Sequence, residues 1–309
     1  PDEGNMHTLY HFATDYQRET FLKPLLEGTA RSCFSMTEPE VAGSDPTLIQ
    51  TTAVQDGDDW VINGHKWFTS GAKGADFAIV IAKTDPDASV AQARNSAFIV
   101  PLDSPGFEIV RDVETMGGKH NHPEVRYNDV RVPKENLLGE RGGGHKLGQV
   151  RLGPARLAHC MRWLGQIEMA LEMLIDRAQK RFAHGSLLSE KQSIQWMMSD
   201  SAMELYSSKL MVLHAAYKIE NGMEFKQEVS MAKHHVANTL WRVVDRAMQV
   251  HGALGYSTDT PLAGMMQQAR WARLADGADE VHQMRIAELL MKAYNSDGSI
   301  NQGVGGLPL

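Results

Sequence analysis

Cysteine is scarce in this chain of 309 residues, which contains only Cys33 and Cys160. The two positions lack the spacing of zinc ligands, and two cysteines cannot build the disulfide framework of a small secreted protein. We therefore expect two free, buried thiols in a reducing compartment. No apolar run approaches the length that crosses a bilayer, so the sequence also predicts no membrane span.

A surplus of positive charge is absent as well. Lys and Arg number 31 against 38 Asp and Glu, and the net charge is −7. This balance excludes a general nucleic-acid-binding protein, so an anionic ligand must be held by local Arg or Lys side chains. The length suits about two domains.

The first half of the chain is rich in short β-like runs. Residues 1–30 have a helical pattern with Gly28 as a plausible C-cap. Residues 31–149 contain runs such as DFAIVIAKT and SAFIVPL, separated by Gly, Pro, Asn and Asp. They predict an antiparallel β-barrel or sandwich. The segment LLGERGGGHKLGQ, 137–149, predicts a flexible hinge between domains.

The second half, residues 150–298, has a helical pattern. The predicted helices run from Pro154 to Phe182, from the capping-box pattern SEKQ at 189–192 to Asn221, and from Glu224 to Val250. Two shorter helices flank Asp276. Long helices with short loops predict an up-down bundle, and residues 299–309 predict a tail.

Some candidate sites have an ordinary structural interpretation that composition alone favours. CFSMTEPEVAGSD (33–45) and INGHKWFTSGA (62–72) combine hydroxyls, glycines and aromatic rings. They suit a flat aromatic ligand with a phosphate tail, but ordinary hairpin turns explain them as well. The histidine pairs lack the spacing of a zinc hydrolase, so we expect no metal, and no G-x-S-x-G elbow supports a serine triad.

Asp276 stands at a break between two helical patterns, directly before Gly277. A carboxylate that is poorly solvated among apolar helices becomes a better base. A side chain at this place can instead cap the next helix, and the spacing alone favours the cap.

Several motifs together resemble one family. MTEPEVAGSD, INGHKWFTSG, VRVPKENLLGERGGG, RLGPARLAHCMRWLG, QVHGALGYSTDTPL and RLADGADEVH closely resemble acyl-CoA dehydrogenase segments, in that family's order and spacing. The LADG stretch is most similar to the subgroup that is fused to a kinase-like domain in animals. The resemblance implies an α+β fold in which the β domain is followed by a four-helix bundle, and residues 1–30 are the remnant of a mostly missing N-terminal helical domain.

The same resemblance implies the chemistry. FAD would be the cofactor and an acyl-CoA thioester the substrate of an α,β-dehydrogenation. Asp276 matches the position of the family's base, which is often Glu, and would remove the α-proton while flavin N5 takes the β-hydride. Gly277 would aim the carboxylate, and the adjoining N–H would help to hold the thioester carbonyl.

The resemblance also implies contact residues. FAD contacts in the β region are Phe34, Met36, Thr37, Gly43, Ser44, Phe68, Thr69 and Ser70. In the helical region they are Arg181 and His184, which would reach a neighbouring subunit's FAD, together with Gln249, Val250, His251, Gly252, Ala253, Ala278 and Glu280. Substrate contacts are implied for Ser44, Arg151, Arg156 and Gly277.

The chain departs from the family pattern at several of these positions. The base is Asp, one methylene shorter than Glu, and the TEPEVAGSD loop is one residue longer than usual. Phe68 replaces a Trp, while Ala278 and Glu280 replace a Thr and a Gln. Two alternatives therefore stay open: a flavin oxidase that uses oxygen, and a flavin-binding scaffold without activity.

Partners and location follow from the resemblance only. It implies a homodimer or homotetramer and an electron-transfer flavoprotein as electron acceptor. It implies a cytoplasmic protein in a bacterium and a mitochondrial or peroxisomal protein in a eukaryote.

Overall fold

A computed structural model describes residues 1–299, apart from the side chain of Asp297. The chain forms two compact units, Pro1–Pro154 and a second unit that begins at Ala155. The predicted tail, 299–309, lies outside the described residues except for Ser299. Within the described range, no helix is both long and apolar enough to cross a membrane.

The first unit opens with short helices, as the pattern of residues 1–30 predicted. They are α1 (Asp2–Phe12), α2 (Asp15–Gln17), a π-helical turn (Arg18–Leu22) and α3 (Lys23–Glu27). A reciprocal capping box between Thr14 and Gln17 starts α2. Gly28 ends α3 with a φ of 71°, the left-handed conformation that glycine adopts most easily.

The sheet of the first unit has eight strands: β1 (Ser32–Ser35), β2 (Thr52–Asp56), β3 (Asp59–Lys66), β4 (Phe77–Lys83), β5 (Asn95–Pro101), β6 (Phe107–Thr115), β7 (Gly118–Pro133) and β8 (Leu137–Leu138). Their order is β6-β7-β3-β2-β4-β5-β8, and β1 pairs with β4. Most pairs are antiparallel, as predicted, but β1 and β2 both run parallel to β4, so the sheet is mixed. Turn residues mark where a strand ends, but they do not tell which strand it joins.

The central strand β4 is buried on both faces. Phe77, Ile79 and Ile81 pack with the N-terminal helices through Phe21 and Leu25. The alternate residues Ala78, Val80 and Ala82 pack on the opposite face with Trp60 and Phe98. A strand with two buried faces needs a continuous apolar run, which DFAIVIAKT provides.

The glycine-rich segment 137–149 is not a flexible hinge, and that prediction is wrong. Helix α4 (Gly144–Lys180) already begins inside it. Gly142 N donates to Ser96 Oγ at 2.8 Å, and a Cβ on Gly144 would lie 2.8 Å from the Asn95 carbonyl oxygen. The glycines therefore serve close packing against β5. The predicted helix start at Pro154 is also wrong, because Pro154 lies inside α4.

The second unit contains the rest of α4, a hairpin of β9 (Phe182–Ala183) and β10 (Ser186–Leu187), and further helices: α5 (Gln192–Glu220), α6 (Lys226–His251), α7 (Ala253–Tyr256), α8 (Leu262–Ala272) and α9 (Asp279–Asp297). Helix α6 packs against α5, α8 and α9. The helical prediction for this region is confirmed.

The predicted capping box at 189–192 is wrong. Helix α5 starts after Lys191, whose side chain forms no cap hydrogen bond, and Ser189 lies in a 3₁₀ turn, Leu188–Glu190. This turn follows directly on the hairpin, because Leu188 N donates to Arg181 O at 2.9 Å. The 3₁₀ turn after the hairpin thus contains Ser189 and Glu190, which the local pattern assigned to a helix start.

Both cysteines are buried and free, as predicted. Burial raises the pKa of each thiol to about 12, with minor effects from neighbouring charges. The two thiols are therefore protonated at neutral pH and are poor nucleophiles.

A buried ion pair joins β3 to the chain after β1. Lys66 Nζ lies 2.9 Å from Glu38 Oε1, and both side chains are almost fully buried. Burial lowers the pKa of Lys66 to about 8, although Glu38 acts to raise it. Burial alone would raise the pKa of Glu38, but the charge of Lys66 and hydrogen bonds from Thr51 and Gln50 lower it. Lys66 also donates to Met36 O at 2.7 Å, so the pair fixes the end of β1.

Replacing one member of this pair should destabilise the first unit strongly. Lys66→Met leaves the Glu38 carboxylate buried without its cation, and we expect a loss of about 3–5 kcal/mol in the free energy of unfolding. Adding Glu38→Gln removes the buried charge and keeps an acceptor for one of the two backbone N–H groups of Gln50 and Thr51, so it should recover part of the loss. Denaturant unfolding measures both.

The exposed Lys119 provides the matched control. Lys119→Met should change the free energy of unfolding by less than about 0.5 kcal/mol. A Lys66→Met variant as stable as this control would show that the pair contributes nothing.

Candidate functional site

The two β segments with hydroxyl and aromatic residues lie side by side in the first unit. Trp67 N donates to Thr37 O at 3.0 Å, and the hydroxyls of Ser35 and Thr69 are 3.4 Å apart. The residues expected at a flavin thus come from one patch at the ends of β1 and β3.

Phe34 is half-buried on β1, and its ring lies under the guanidinium of Arg151 at 4.1 Å. Arg151 also donates through Nε to Asn5 Oδ1 at 3.1 Å and is only 9% exposed. These contacts lie within the first unit and give Arg151 a packing role. Its assignment to substrate stays a prediction.

Gly43 and Ser44 lie in an exposed turn after β1. A Cβ on Gly43 would approach Thr37 Cγ2 to 2.9 Å, so glycine lets this turn fold back onto Thr37 without displacing the threonine methyl. Among residues 1–299, no group forms a hydrogen bond with the hydroxyl of Thr37 or Ser44. The hydroxyls of Ser44, on this turn, and of Thr37, beneath it, are therefore available to a ligand.

Phe68 follows β3 in the left-handed region, with a φ of 49°, and its side chain is 42% exposed. Its ring contacts the indole of Trp67 at a centroid distance of 5.0 Å. Thr69 is buried, while Ser70 Oγ and His122 Nδ1 are 2.7 Å apart. Burial lowers the pKa of His122, although Asp112 acts to raise it.

This patch fits an aromatic cofactor. The exposed face of Phe68 can contact a flat ring, and hydroxyls and backbone groups surround it. Trp67 Nε1 is buried without a hydrogen-bond partner in the described part of the chain. Such an orphaned donor suits an acceptor atom of a bound ligand.

The turn at Asp276 has an unusual backbone. Asp276 has a φ of 53° and Gly277 a φ of 112°, so two successive residues have positive φ. Asp276 does not cap the following helix, because the N-cap of α9 is Ala278. The interpretation as a helix cap, which spacing alone favoured, is therefore wrong.

Two cations hold this turn through its carbonyls. Arg156 Nε donates to Asp276 O at 2.7 Å, and Lys233 Nζ donates to Gly277 O at 2.6 Å. Lys233 is fully buried, and burial lowers its pKa to about 8 although Asp279 and Asp276 act to raise it. The turn is thus fixed at the backbone by α4 and α6.

The carboxylate of Asp276 has a neighbour that sequence reasoning missed. His159 Nε2 lies 3.0 Å from Asp276 Oδ2, and the two side chains are 18% and 25% exposed. The available signal was spacing, because Arg156 and His159 occupy i and i+3 of one helix face. Lys233 was missed as well, although it interrupts the apolar stripe of α6 at Val229, Ala232 and Val236.

A buried polar group lies beneath the turn. Asp279 accepts from Arg273 Nε at 2.7 Å and from Asn238 Nδ2 at 3.0 Å. A Cβ on Gly277 would lie 2.8 Å from His282 Nε2, which excludes larger residues there. Burial lowers the pKa of His282 to about 3, and Arg156 and Lys233 act in the same direction.

Two predicted FAD contacts follow the turn. Ala278 is half-buried and Glu280 is exposed on the first turn of α9.

The remaining predicted contacts lie elsewhere in the second unit. Arg181 is exposed after α4, and His184 occupies the hairpin turn with a φ of 49°. Its follower Gly185 has a φ of 84°, and two successive positive φ values are typical of a type I′ hairpin turn. Lys191 Nζ donates to His184 O at 3.0 Å.

The segment predicted to hold phosphates forms the end of α6 and the start of α7. Gln249, Gly252 and Ala253 are exposed, Val250 is buried, and His251 Nδ1 is 2.8 Å from Ala247 O. His251 follows Lys233 by 18 residues, about 27 Å along a helix that rises 1.5 Å per residue. The structure therefore does not bring this segment to the Asp276 turn.

Two domain families match the chain. The acyl-CoA dehydrogenase middle domain matches residues 33–130, and the acyl-CoA dehydrogenase C-terminal domain matches residues 142–291. Together they cover most of the chain, and they confirm the family that the motifs indicated.

Similar proteins agree. FadE2 of Mycobacterium tuberculosis, named a probable acyl-CoA dehydrogenase, is 45% identical over 93% of this chain and 72% of its own length. Acyl-CoA dehydrogenase family member 10 of Mus musculus is 42% identical over 94% of this chain. Member 11 of Homo sapiens is 38% identical over the same share. The chain spans only 28% of the length of the mouse member 10 protein and 38% of the length of the human member 11 protein.

Solved structures share the fold. Acyl-CoA dehydrogenase from Geobacillus kaustophilus has a TM-score of 0.87 and 30% identity, over 92% of this chain and 74% of that chain. Butyryl-CoA dehydrogenase from Megasphaera elsdenii has a TM-score of 0.86 and 32% identity, over 93% and 74%. This chain therefore belongs to the acyl-CoA dehydrogenase family of FAD-dependent oxidoreductases.

Proposed function

We propose that this chain catalyses the α,β-dehydrogenation of an acyl-CoA thioester, with Asp276 as the base that removes the α-proton. The geometry of the Asp276 turn carries the proposal. Two cations fix its backbone, and the side chain is only 25% exposed. A turn held in this way fixes the direction in which the side chain leaves the backbone, and this helps to position a base for proton abstraction.

The first unit supplies the candidate cofactor residues. Thr37, Ser44 and Ser70 offer hydroxyls, and Phe68 and Trp67 offer aromatic faces, to FAD. When bound, FAD supplies the acceptor for the hydride that leaves the β-carbon. The product is the 2-enoyl thioester, and the α-proton stays on the carboxyl of Asp276.

Cations near the base suit the charge that develops in this reaction. Removing the α-proton moves electron density onto the thioester carbonyl, and donors preorganised around it lower the barrier. Arg156 and Lys233 carry positive charge beside Asp276, although both use a donor on the backbone of the turn. The family resemblance implies that Arg156 contacts the substrate. We propose that it does so through its positive charge near the thioester carbonyl. An electron-transfer flavoprotein is the proposed electron acceptor.

Asp276→Asn should retain FAD but lose reduction by substrate. The amide cannot accept the α-proton, so we expect the rate to fall by about 10²–10⁴-fold. Anaerobic bleaching of the flavin band after addition of acyl-CoAs of graded length measures this rate.

Asp259→Asn is the matched control, because Asp259 is an exposed carboxylate in the loop before α8. It should bleach at the parent rate. Equal bleaching by Asp276→Asn and the control would refute the base assignment. Rapid peroxide formation in air would instead favour an oxidase.

We also propose that copies of the chain associate through α5. Six large side chains on this helix are 50–67% exposed: Trp196, Met203, Tyr206, Leu210, Leu213 and Tyr217. Their spacing of three, four and seven residues forms one stripe of the type that packs helix against helix. Within α5, Asp200 is the only charged residue among the exposed positions from Trp196 to Tyr217.

The extent of this stripe suits a second copy. It runs over 22 residues from Trp196 to Tyr217, and the 21 steps between them span about 32 Å of helix. Six such side chains at this exposure present roughly 600 Å², which with flanking residues approaches the ~800 Å² per partner of a standard interface. Arg181 and His184, matched to residues that reach a neighbouring subunit's FAD, are consistent with an oligomer.

Leu213→Glu should weaken association at least about tenfold, because it places an unpaired charge in the apolar stripe. Ser193→Glu adds the same charge at an exposed position of α5 outside the stripe and should leave association unchanged. Sedimentation velocity across a concentration series compares the two. Equal oligomeric states of both variants and the parent would exclude α5 as the interface.

A further inference from the structure

We propose that His159 is the positioning residue of the base: as a neutral imidazole protonated at Nε2, it donates to Asp276 Oδ2, with Arg162 selecting this tautomer. The inference rests on the proposed function in that Asp276 is taken as the base. It adds a three-residue chain from the exposed surface of α4 to the reacting carboxylate.

The tautomer follows from the two contacts of the ring. Arg162 Nη2 lies 2.9 Å from His159 Nδ1. A guanidinium has only donors, so Nδ1 must offer its lone pair. The ring proton then stands on Nε2, which lies 3.0 Å from Asp276 Oδ2 and donates to it. The contact with Arg162 thus makes His159 the donor in its hydrogen bond with Asp276.

Two indoles hold the imidazole in place. The ring of Trp163 stacks on it at a centroid distance of 5.4 Å and an interplanar angle of 19°. The ring of Trp271 meets it edge-on at 5.2 Å and 70°. Trp163 is buried and Trp271 is partly exposed, so the pair forms a wall from the bundle core to the surface. Few rotamers remain for His159, and its hydrogen bond therefore orients the carboxylate.

This arrangement also decides where the substrate proton goes. A neutral His159 could accept a proton only at Nδ1, and Arg162 occupies that lone pair. The α-proton therefore remains on Asp276 while the β-hydrogen leaves with its electron pair. His159 keeps its own proton throughout and acts through orientation and through stabilising the ionised carboxylate.

Other charged groups around the pair come from several helices. They are Arg156 and Arg162 of α4, Lys233 of α6, Arg273 after α8, and Asp279 and the buried His282 of α9. The variants below leave all of these in place except Arg162, which is changed in one experiment. A shift in a pH profile can therefore be assigned to the His159 donor.

The first test compares two replacements of His159. His159→Gln retains a donor near the Nε2 position, whereas His159→Phe retains the ring stack but has no donor. We expect kcat to fall about 10- to 100-fold in His159→Phe, with unchanged KM and FAD content, and to stay near the parent value in His159→Gln. A role in packing alone predicts the reverse order and would overturn the proposal.

The pH profile provides a readout that packing does not move. The donated hydrogen bond favours the ionised carboxylate, so its loss raises the pH at which the base is protonated. The acid limb of kcat/KM should therefore move to higher pH in His159→Phe and not in His159→Gln. An unmoved limb in His159→Phe would contradict the proposal.

The second test does not depend on activity. In ¹⁵N-histidine spectra at neutral pH, the signal that His159→Phe removes should be that of a neutral ring protonated at Nε2. Arg162→Met should convert it into a mixture of tautomers. An imidazolium, or a ring protonated at Nδ1, in the parent protein would overturn the assignment.

A double variant separates this proposal from the proposed function. In an Asp276→Asn background, His159→Phe should cause no further loss of rate, because its effect passes through the carboxylate. An additional loss would show that His159 acts by another route. If Asp276→Asn alone bleached at the parent rate, the base assignment would fail, and the tautomer would still be decided by the spectra.

Discussion

Two backbone carbonyls held by two cations determine the architecture of the second unit around its candidate base. The turn at Asp276 and Gly277 has positive φ at both residues, which a chain rarely adopts without support. A buried carbonyl without a partner costs about 1–3 kcal/mol. Arg156 and Lys233 supply both partners from separate helices, so the bundle acts as a frame that holds one short turn.

Much of the fold could be predicted because it follows from local periodicity. The helices of the second half and the strands of the first were found from patterns of apolar residues. The predictions that failed concern features that depend on residues far away in the sequence. The glycines at 142 and 144 resembled a flexible linker, but a side chain at 142 would meet the carbonyl of Ala93 and one at 144 would meet the backbone of β5. The parallel pairing of β1 with β4 likewise depends on residues far apart in the sequence.

The candidate site could likewise be predicted where local motifs mark it and could not where it depends on residues far apart in the sequence. Family motifs indicated the turn at Asp276 and the two β segments, and the structure places Thr37 beside Trp67. Spacing alone took Asp276 for a helix cap, because backbone dihedrals cannot be read from residue types. His159 and Lys233 carry no motif, and their importance appears only when α4, α6 and the turn are brought together.

The contact between Gly43 and Thr37 limits the order in which these two positions can change. A side chain at position 43 would meet the Cγ2 methyl of Thr37 at 2.9 Å. Thr37→Ser removes that methyl and keeps the hydroxyl, after which alanine at position 43 has room. The reverse order passes through a crowded intermediate. A divergent lineage would therefore acquire serine at 37 before it loses glycine at 43, and the pair should vary together.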